Sequence, residues 1–501
     1  MKGFVRLMTV VVTAAVFIAA CSKDKDSGKI MLDSSAVFFA AAGGTETVTF
    51  SVSNIKTISV TSKPAGWSEP TIDLVAGTLV VTAPSAEDIE SGDAVRTGSF
   101  SLSGTTPGGS IASATLFVGI VSTEDLSEGN KVANSYIATQ KETNYLFDAM
   151  RRGDGSQLAT DHVGIVWQSK SGLLQYLDFE DGKASFYVGA DSDNDNIIKR
   201  GNAIVGAYDA DGVLLWSWHV WVADYNPDAE GGSVDFNGYT MMSRNLGALD
   251  NDNSSSDKIL ASYGLYYQWG RKDPFIGPDT YQASQGASAT MYSGTGGRVY
   301  LKTVESSAET GTAEYAVQNP VTFILGTSES GYDWRWNEDA GSWSPDDNVG
   351  SKSVNDPCPY GWRVAPSAAF KGLAIKEPLD VGYEPYYDKF GWTLTDGASE
   401  SLFIGAGRRI YRNISDENEG GGSIQNFYPT PVQDKQTRNT ALYNQPWVGY
   451  YWTTLAAAER KSSAFYFWFN KSDVETSNVQ ESALQYRSNG MQVRCVKVRT
   501  R

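Results

Sequence analysis

The residues whose spacing most directly suggests chemistry are three carboxylates at alternate positions, Asp191, Asp193 and Asp195. Oxygen ligands at this spacing begin many calcium-binding loops. The sixth position of the run is Asn196, where such a loop has Gly, and the twelfth is Asn202, where it has a bidentate Glu, so an EF-hand is excluded. Two interpretations remain, a calcium site and a solvated hairpin turn, and the missing ligands favour the turn.

A second group combines aromatic side chains with neighbouring carboxylates in long segments that lack a strand pattern. Aromatic rings stack on the faces of sugars, and carboxylates accept hydrogen bonds from sugar hydroxyls. The sequence therefore predicts a ligand-binding surface here, and packing of the aromatic rings beneath long loops is the alternative that stays open. The aromatic candidates are Trp334, Trp336, Trp343, Tyr386 and Tyr387.

Composition argues against an enzyme and against a nucleic-acid partner. The 501 residues carry a formal charge of -17, which repels phosphate backbones, and they include two His and three Cys. No Gly-x-Ser-x-Gly, P-loop or His-Glu-x-x-His pattern is present. With 58 Asp and Glu, a pair of facing carboxylates of the kind glycoside hydrolases use stays open as a weaker alternative.

The first residues predict export and a lipid anchor. Lys2 and Arg6 precede an apolar run, residues 7–20, that is too short to span a bilayer as a helix. The run ends in Ile-Ala-Ala before Cys21, which resembles the lipobox of bacterial lipoproteins. The resemblance implies a signal peptide at 1–20, acylation of Cys21 and a tether at 21–29. The acidic stretch behind Cys21 resembles the export signal of Bacteroidetes-type lipoproteins, which implies the surface of the outer membrane.

Residues 30–122 are predicted to form a small β-sandwich. Apolar and polar residues alternate in 47–52 and 78–82, and turn clusters stand at 43–44 and 107–109. The order of a Gly-Gly turn, a Thr/Val strand, a loop with Trp67 and a last strand after Arg96 resembles the BACON domain. The resemblance implies an immunoglobulin-like fold. Trp67 is predicted to pack in the core or a loop, with an exposed sugar platform as the alternative.

Residues 123–238 are predicted to form a second, β-rich domain. Its last strand, 213–222, places Trp216 and Trp218 on one face and His219 and Trp221 on the other. Trp on both faces predicts a strand that is covered on both sides. We expect His219 to be a hydrogen-bonded core residue and not a catalytic group.

Residues 239–501 are predicted to form a third domain, defined by short motifs in a fixed order. Together the motifs resemble the Fibrobacter succinogenes major paralogous domain, which implies an α+β fold like that of C-type lectins. The motifs lie at 241–248, 263–271, 358–366, 450–454, 465–470 and 493–497. Gly361 in the third of them fits a turn, so that motif is interpreted as structural.

Cys358 and Cys495 are the two cysteines left once Cys21 is lipidated. An even pair in an exported protein predicts one disulfide, and two buried free thiols are the alternative.

The sequence therefore predicts a multidomain, mainly β protein anchored by lipid in the outer membrane. We expect an immunoglobulin-like sandwich, a second β domain and an α+β C-type-lectin-like domain. The predicted function is non-catalytic recognition or adhesion, with an extracellular glycan or surface protein as partner and no cofactor apart from the candidate Ca²⁺. A pilus tip subunit that assembles by strand exchange is the alternative, and a glycoside hydrolase is the weaker one.

Overall fold

A computed structural model describes residues 26–279, 288–337, 343, 352–376, 391–410, 442–443, 448–468 and 478–498. The chain divides into two compact units, residues 1–120 and 121–501. Both are built mainly of β-strands, with short helices between them, so the predicted mainly β class is confirmed. Within the described part of the chain, no helix is long and apolar enough to cross a membrane.

The first unit contains two four-stranded sheets, ordered β1-β3-β6-β5 and β2-β8-β7-β4. The N-terminal segment contributes an edge strand to each sheet, because β1 pairs antiparallel with β3 and β2 pairs parallel with β8. The elements are β1 Lys29–Leu32, β2 Ala36–Phe39, β3 Thr45–Ser53, β4 Thr57–Ser62, β5 Thr71–Asp73, β6 Thr78–Thr82, α1 Ala86–Ser91, β7 Thr97–Thr105 and β8 Ile111–Ile120.

Apolar side chains at alternate positions of these strands form one core between the two sheets. Val48 and Leu79 from one sheet pack in the same cluster as Leu102 and Val118 from the other. Trp67 is 1% exposed in this cluster, and its indole Nε1 donates to the carbonyl of Val95 at 2.8 Å. The prediction that Trp67 packs inside is confirmed.

The second unit begins with a six-stranded sheet, β10-β16-β15-β12-β20-β21, and a four-stranded sheet, β13-β14-β11-β9. Its first strands are β9 Ser122–Asp125, β10 Ser135–Ala138, β11 Thr143–Asp148, β12 His162–Gln168, β13 Gln175–Glu180, β14 Lys183–Val188, β15 Gly201–Tyr208 and β16 Leu214–Val222.

Strand β16 is covered on both faces, as its alternating Trp pattern predicts. Trp216 and Trp218 pack in one hydrophobic cluster, and Trp221 packs in another. His219 is 2% exposed, with Nδ1 3.0 Å from Ser135 Oγ and Nε2 2.9 Å from Asn202 Oδ1. Asn202 Nδ2 donates to a backbone carbonyl, so Asn202 Oδ1 accepts from His219 Nε2. The prediction of a core histidine is confirmed.

Burial lowers the pKa of His219 to about 3. Below pH 6.5 the His219 ring is therefore protonated in the unfolded chain and stays neutral in the folded chain. The folded unit should lose about 1.4 kcal/mol of stability per pH unit at this site as the pH falls from 6.5 towards 3. We expect His219→Gln to flatten the dependence of the urea midpoint on pH between 6.5 and 5. His162→Gln is the matched control, because the side chain of His162 is 43% exposed, and an equal flattening there would contradict the assignment.

The remaining described elements of the second unit form five small sheets. The sheets are β17-β18-β34-β24, β19-β33-β28-β29, β22-β23, β25-β26-β27 and β30-β31-β32. The elements are β17 Ser233–Phe236, β18 Tyr239–Met242, α2 Ser256–Ala261, β19 Tyr267–Gln268, β20 Met291–Tyr292, β21 Arg298–Val299, β22 Lys302–Glu305, α3 Ala313–Gln318, β23 Thr322–Leu325, β24 Trp362–Val364, a 3-10 helix Ser367–Phe370, β25 Ala374–Ile375, β26 Gly391–Thr395, β27 Glu400–Ile404, β28 Arg408–Arg409, β29 Leu442–Tyr443, β30 Val448–Ala456, β31 Lys461–Trp468, β32 Asn478–Tyr486, β33 Gly490–Met491 and β34 Cys495–Lys497.

The predicted boundary at 238/239 falls inside the second unit. One hydrophobic cluster holds Trp167 and Trp221 from before this position together with Trp362 and Trp452 from after it. Strand β12 also pairs with β20, so the six-stranded sheet draws strands from both predicted segments. Described residues from both sides of position 238 therefore share this cluster, which includes Tyr225 and Trp362 of the site described next.

Candidate recognition cleft

The second unit carries an open cleft of about 580 Å³. Segments from four places in the sequence line it: the end of β9 and the loop after it, strand β10, the loop after β16, and the turn that leads into β24. The end of β34 completes the rim with Lys497. The other lining residues are Glu124, Leu126, Lys131, Ser135, Tyr136, Ile137, Thr139, Tyr225, Asn226, Pro227, Asp228, Pro359, Tyr360, Gly361 and Trp362.

Tyr360 stands at the corner of a tight turn on the cleft. The backbone N–H of Trp362 donates to the carbonyl of Pro359 at 3.0 Å, and Gly361 has a φ of +78°. A turn that needs positive φ at its third position selects Gly there, which leaves the second residue at the corner. Tyr360 is 54% exposed, whereas Trp362 is 1% exposed. The turn thus presents one aromatic ring to solvent and buries the next.

A buried ion pair between Lys352 and Asp356 holds this turn in place through hydrogen bonds to its backbone. Lys352 Nζ contacts Asp356 Oδ1 at 2.9 Å and donates to the carbonyls of Cys358 at 2.7 Å and Trp362 at 2.5 Å. The Asp356 carboxylate also accepts from the backbone N–H groups of Cys358 and Val364. Burial lowers the pKa of Lys352, and the neighbouring Asp356 opposes that shift. The network fixes both ends of the turn, so Tyr360 is held on a rigid support.

The disulfide and one asparagine tie the same turn to distant parts of the chain. Cys358 and Cys495 are bonded, with their Cα atoms 6.1 Å apart, so the predicted disulfide is confirmed. Asn134 Nδ2 donates to the carbonyls of Val354 at 2.6 Å and Asp356 at 2.9 Å. Asn134 directly precedes β10, so the two walls of the cleft are joined by hydrogen bonds.

Aromatic residues and side chains of both charges line the cleft. Tyr225 is buried and its hydroxyl donates to the Gly232 carbonyl at 2.6 Å. Burial raises the pKa of Tyr136, which therefore stays a neutral phenol. Lys497 Nζ lies 2.7 Å from Asp228 Oδ1 and 5.7 Å from the ring centre of Trp362. The exposed Tyr360 ring can stack on a sugar, and Asp228 and Lys497 can form hydrogen bonds with its hydroxyls.

Glu124 brings a second carboxyl to the rim. Burial raises the pKa of Glu124, and the charge of Lys131 opposes that shift. Glu124 and Lys131, together with Asp228 and Lys497, give the lining of the cleft two carboxylate and two ammonium side chains.

Trp334 and Trp343 do not form an exposed ligand surface. Trp334 is 2% exposed and Trp343 is 0% exposed. Their indole Nε1 atoms donate to the carbonyls of Trp269 at 2.8 Å and Arg271 at 2.9 Å. The prediction that these two rings face a ligand is wrong, because both pack in the interior and are hydrogen-bonded there.

Among the other aromatic candidates, Trp336 is partly buried. Tyr386 and Tyr387 lie outside the described residues, as does Cys21. Tyr360 was missed by the sequence argument, although a Tyr between Pro and Gly is the signal that would have marked it as a turn corner.

The carboxylates of Asp191, Asp193 and Asp195 do not converge on a common point. Among the described residues, no group of three or more His, Cys, Asp or Glu is placed to hold a metal ion. The Asp191 carboxylate accepts from the backbone N–H of Asp193 at 3.0 Å, which lowers its pKa, and Lys141 Nζ donates to the Asp195 carbonyl. This geometry is that of a solvated turn, the alternative that the sequence favoured.

No family model and no curated protein matches the chain. Among solved structures, SGBP-B of the mixed-linkage glucan utilization locus of Bacteroides ovatus, in complex with a mixed-linkage heptasaccharide, matches at 13% identity and a TM-score of 0.12, over 38% of this chain and 43% of that one. The protocadherin GammaB4 extracellular domain matches at 10% identity and a TM-score of 0.15, over 42% and 34%. An endo-fucoidan hydrolase of glycoside hydrolase family 107 matches at 12% and 0.16, over 42% and 32%. The chain thus spans less than half of each, and TM-scores this low do not establish a shared fold.

Proposed function

We propose that the protein is a lipid-anchored surface protein of the outer membrane that binds an extracellular glycan without cleaving it. The observation that carries the glycan-binding part is the exposed Tyr360 ring, held on a braced turn beside the charged pair of Asp228 and Lys497. A preorganised aromatic ring loses little conformational entropy when it stacks on a sugar. The anchor part rests on the lipobox at Cys21.

The resemblance of the sequence motifs extends the proposal to the two units. On this proposal the first unit is a BACON-like, immunoglobulin-like module, and the C-terminal part of the second unit is a C-type-lectin-like α+β domain. The motif at 358–366, which contributes to that resemblance, supplies Tyr360 and one of the two cysteines of the disulfide, Cys358. The recognition surface then lies on the second unit.

A glycan array screened with the chain 22–501, with and without calcium, tests the proposal. We expect retention of at least one glycan in both conditions and no shortening of the bound sugar. No retention on any glycan would overturn glycan binding, and shortened products would overturn the non-catalytic part. Loss of retention without calcium would contradict the assignment of the site to the Tyr360 cleft, whose described residues bring no metal cluster.

Tyr360→Ala should weaken binding of a glycan found on the array by about fivefold, because one stacking ring is worth about 1 kcal/mol. Tyr300→Ala is the matched control, since Tyr300 is 69% exposed and lies outside the cleft. Titration of both variants by calorimetry measures the difference. Equal affinities for the two variants would place the site elsewhere.

A further inference from the structure

The N-terminal tether is fixed to one end of the first unit. Asp26 accepts from the backbone N–H of Gly108 at 3.2 Å, and from Ser110 through its N–H at 3.3 Å and its hydroxyl at 2.9 Å. Hydrogen bonds from Thr106 and Ser110 lower the pKa of Asp26, so it binds as a carboxylate. These partners form the turn between β7 and β8. The chain therefore joins the sandwich at the end where β7 stops and β8 starts.

That end must stay close to any lipid attached at Cys21. Five Cα-to-Cα steps separate Cys21 from Asp26, so even a fully extended tether reaches at most about 18 Å. The opposite end of the sandwich is reached only after β8, which runs ten residues from Ile111 to Ile120. The end that carries Asp26, which we name the tether face, is therefore the part of the first unit nearest the anchor.

Exposed apolar side chains concentrate on the tether face. The described part of the first unit has four exposed large hydrophobic residues: Met31 at 50%, Val75 at 99%, Val95 at 41% and Ile111 at 72%. Ile111 pairs with the last residue of β7, and Met31 lies in β1, whose first residue pairs with the last residue of β3. Val75 is in the β5–β6 turn, which opens towards the same end of β3. Three of the four thus lie on the tether face, and Val95 lies at the other end.

The charged residues also differ between the two ends. Lys29 begins β1, and the backbone N–H of Lys56 donates to Thr105, so both lysines belong to the tether face. Helix α1 and the residues after it follow β6 at the opposite end. That end carries four acids within residues 87–93. Asp26 and Asp73 also lie at the first end and offset its two lysines, so an anionic lipid surface repels the acidic second end more than the first.

We propose that the tether face rests on the lipid surface in which Cys21 is anchored. Met31, Val75 and Ile111 enter the headgroup region, and Lys29 and Lys56 pair with anionic headgroups. The contact rests on the proposed lipidation of Cys21. It holds the sandwich with its acidic helix away from the membrane.

Hydrogen exchange on a tethered chain tests the contact. Cys358 and Cys495 are joined, so Cys21 is the one free thiol among the three cysteines and can be coupled to a maleimide lipid. The chain 21–501 is attached in this way to vesicles of phosphatidylcholine and phosphatidylglycerol. We expect amides in the turns at 74–77 and 106–110 to exchange at least about fivefold more slowly than in the free chain, and amides at 86–95 to be unchanged.

A paired set of variants separates contact from mere proximity. Met31→Ser combined with Ile111→Ser should remove the protection, whereas Val95→Ser should leave it in place. Equal exchange in tethered and free chains, or protection that survives the double Ser variant, would overturn the proposal. The coupled lipid replaces the natural one, so failure of Cys21 acylation in cells, read from the mass of the mature protein, is a separate result that leaves the vesicle outcome interpretable.

Discussion

Removing the disulfide by Cys358→Ala together with Cys495→Ala is expected to lower the free energy of unfolding of the second unit by on the order of 4–5 kcal/mol. The bond joins residues 137 positions apart, and the entropy that it removes from the unfolded chain grows with the length of the closed loop. Both cysteines are fully buried, so alanine leaves no unpaired polar group behind. Urea unfolding followed by Trp fluorescence measures the loss, because 13 of the 14 Trp lie after residue 160.

The matched control for this prediction is Cys21→Ser, which removes the third cysteine without touching the bond. It should leave the urea midpoint of the second unit unchanged. A loss below about 1 kcal/mol in the double variant would mean that the unfolded chain is already restricted in this region. The double variant should also weaken glycan binding at a temperature where it stays folded, since Tyr360 lies two residues from Cys358.

The features that the sequence predicted well are those that a local pattern or a count determines. The disulfide follows from having two cysteines left once Cys21 is set aside. The double-sided burial of β16 follows from Trp at both odd and even positions of one strand, because strand geometry sends alternate side chains to opposite faces. The same alternation placed His219 in the interior, where its neutral ring is now seen between Ser135 and Asn202.

The features that it predicted poorly depend on partners far away in the chain. Aromatic rings beside carboxylates look alike whether they face a ligand or a core. Trp334 is buried because its indole finds the carbonyl of Trp269, 65 residues earlier, and no periodicity within the loop records that contact. The sequence did not mark Tyr360 as a ligand-binding residue, because Gly361 by itself explains why residues 359–362 form a turn. Its exposure depends on the neighbouring Trp362 packing against β34.

Contacts across position 238/239 illustrate the same limit. The motifs that resemble the major paralogous domain begin after it, which predicts a new domain there, and Asn134 Nδ2 donates to the backbone carbonyls of Val354 and Asp356 beyond it. A cleft that draws its walls from residues near 135, 225 and 360 is visible only once these contacts are known. The strands could therefore be predicted from local sequence patterns. The candidate site could be found only from contacts between segments that are far apart in the sequence.

Trp334→Ala is expected to destabilise the second unit by about 3–5 kcal/mol, because it opens a cavity in a packed cluster with Ala316 and Ile324. It also leaves the Trp269 carbonyl without its indole donor and removes the ring that lies 5.7 Å from the guanidinium of Arg271. Urea unfolding measures the loss. Trp336→Ala is the control in the same loop, and its partly exposed ring should cost about 1 kcal/mol.

The paired readout of this variant is glycan affinity below its unfolding temperature. If the cleft at Tyr360 is the site, Trp334→Ala lowers stability and keeps affinity, whereas Tyr360→Ala keeps stability and lowers affinity, because the exposed ring contributes little to the core. The opposite result is that folded Trp334→Ala or Trp336→Ala loses more affinity than Tyr360→Ala does. That result would place the binding surface in the loop around residue 336 and not in the cleft at Tyr360. The two substitutions thus separate a core tryptophan from a recognition tyrosine by opposite effects on two measurements.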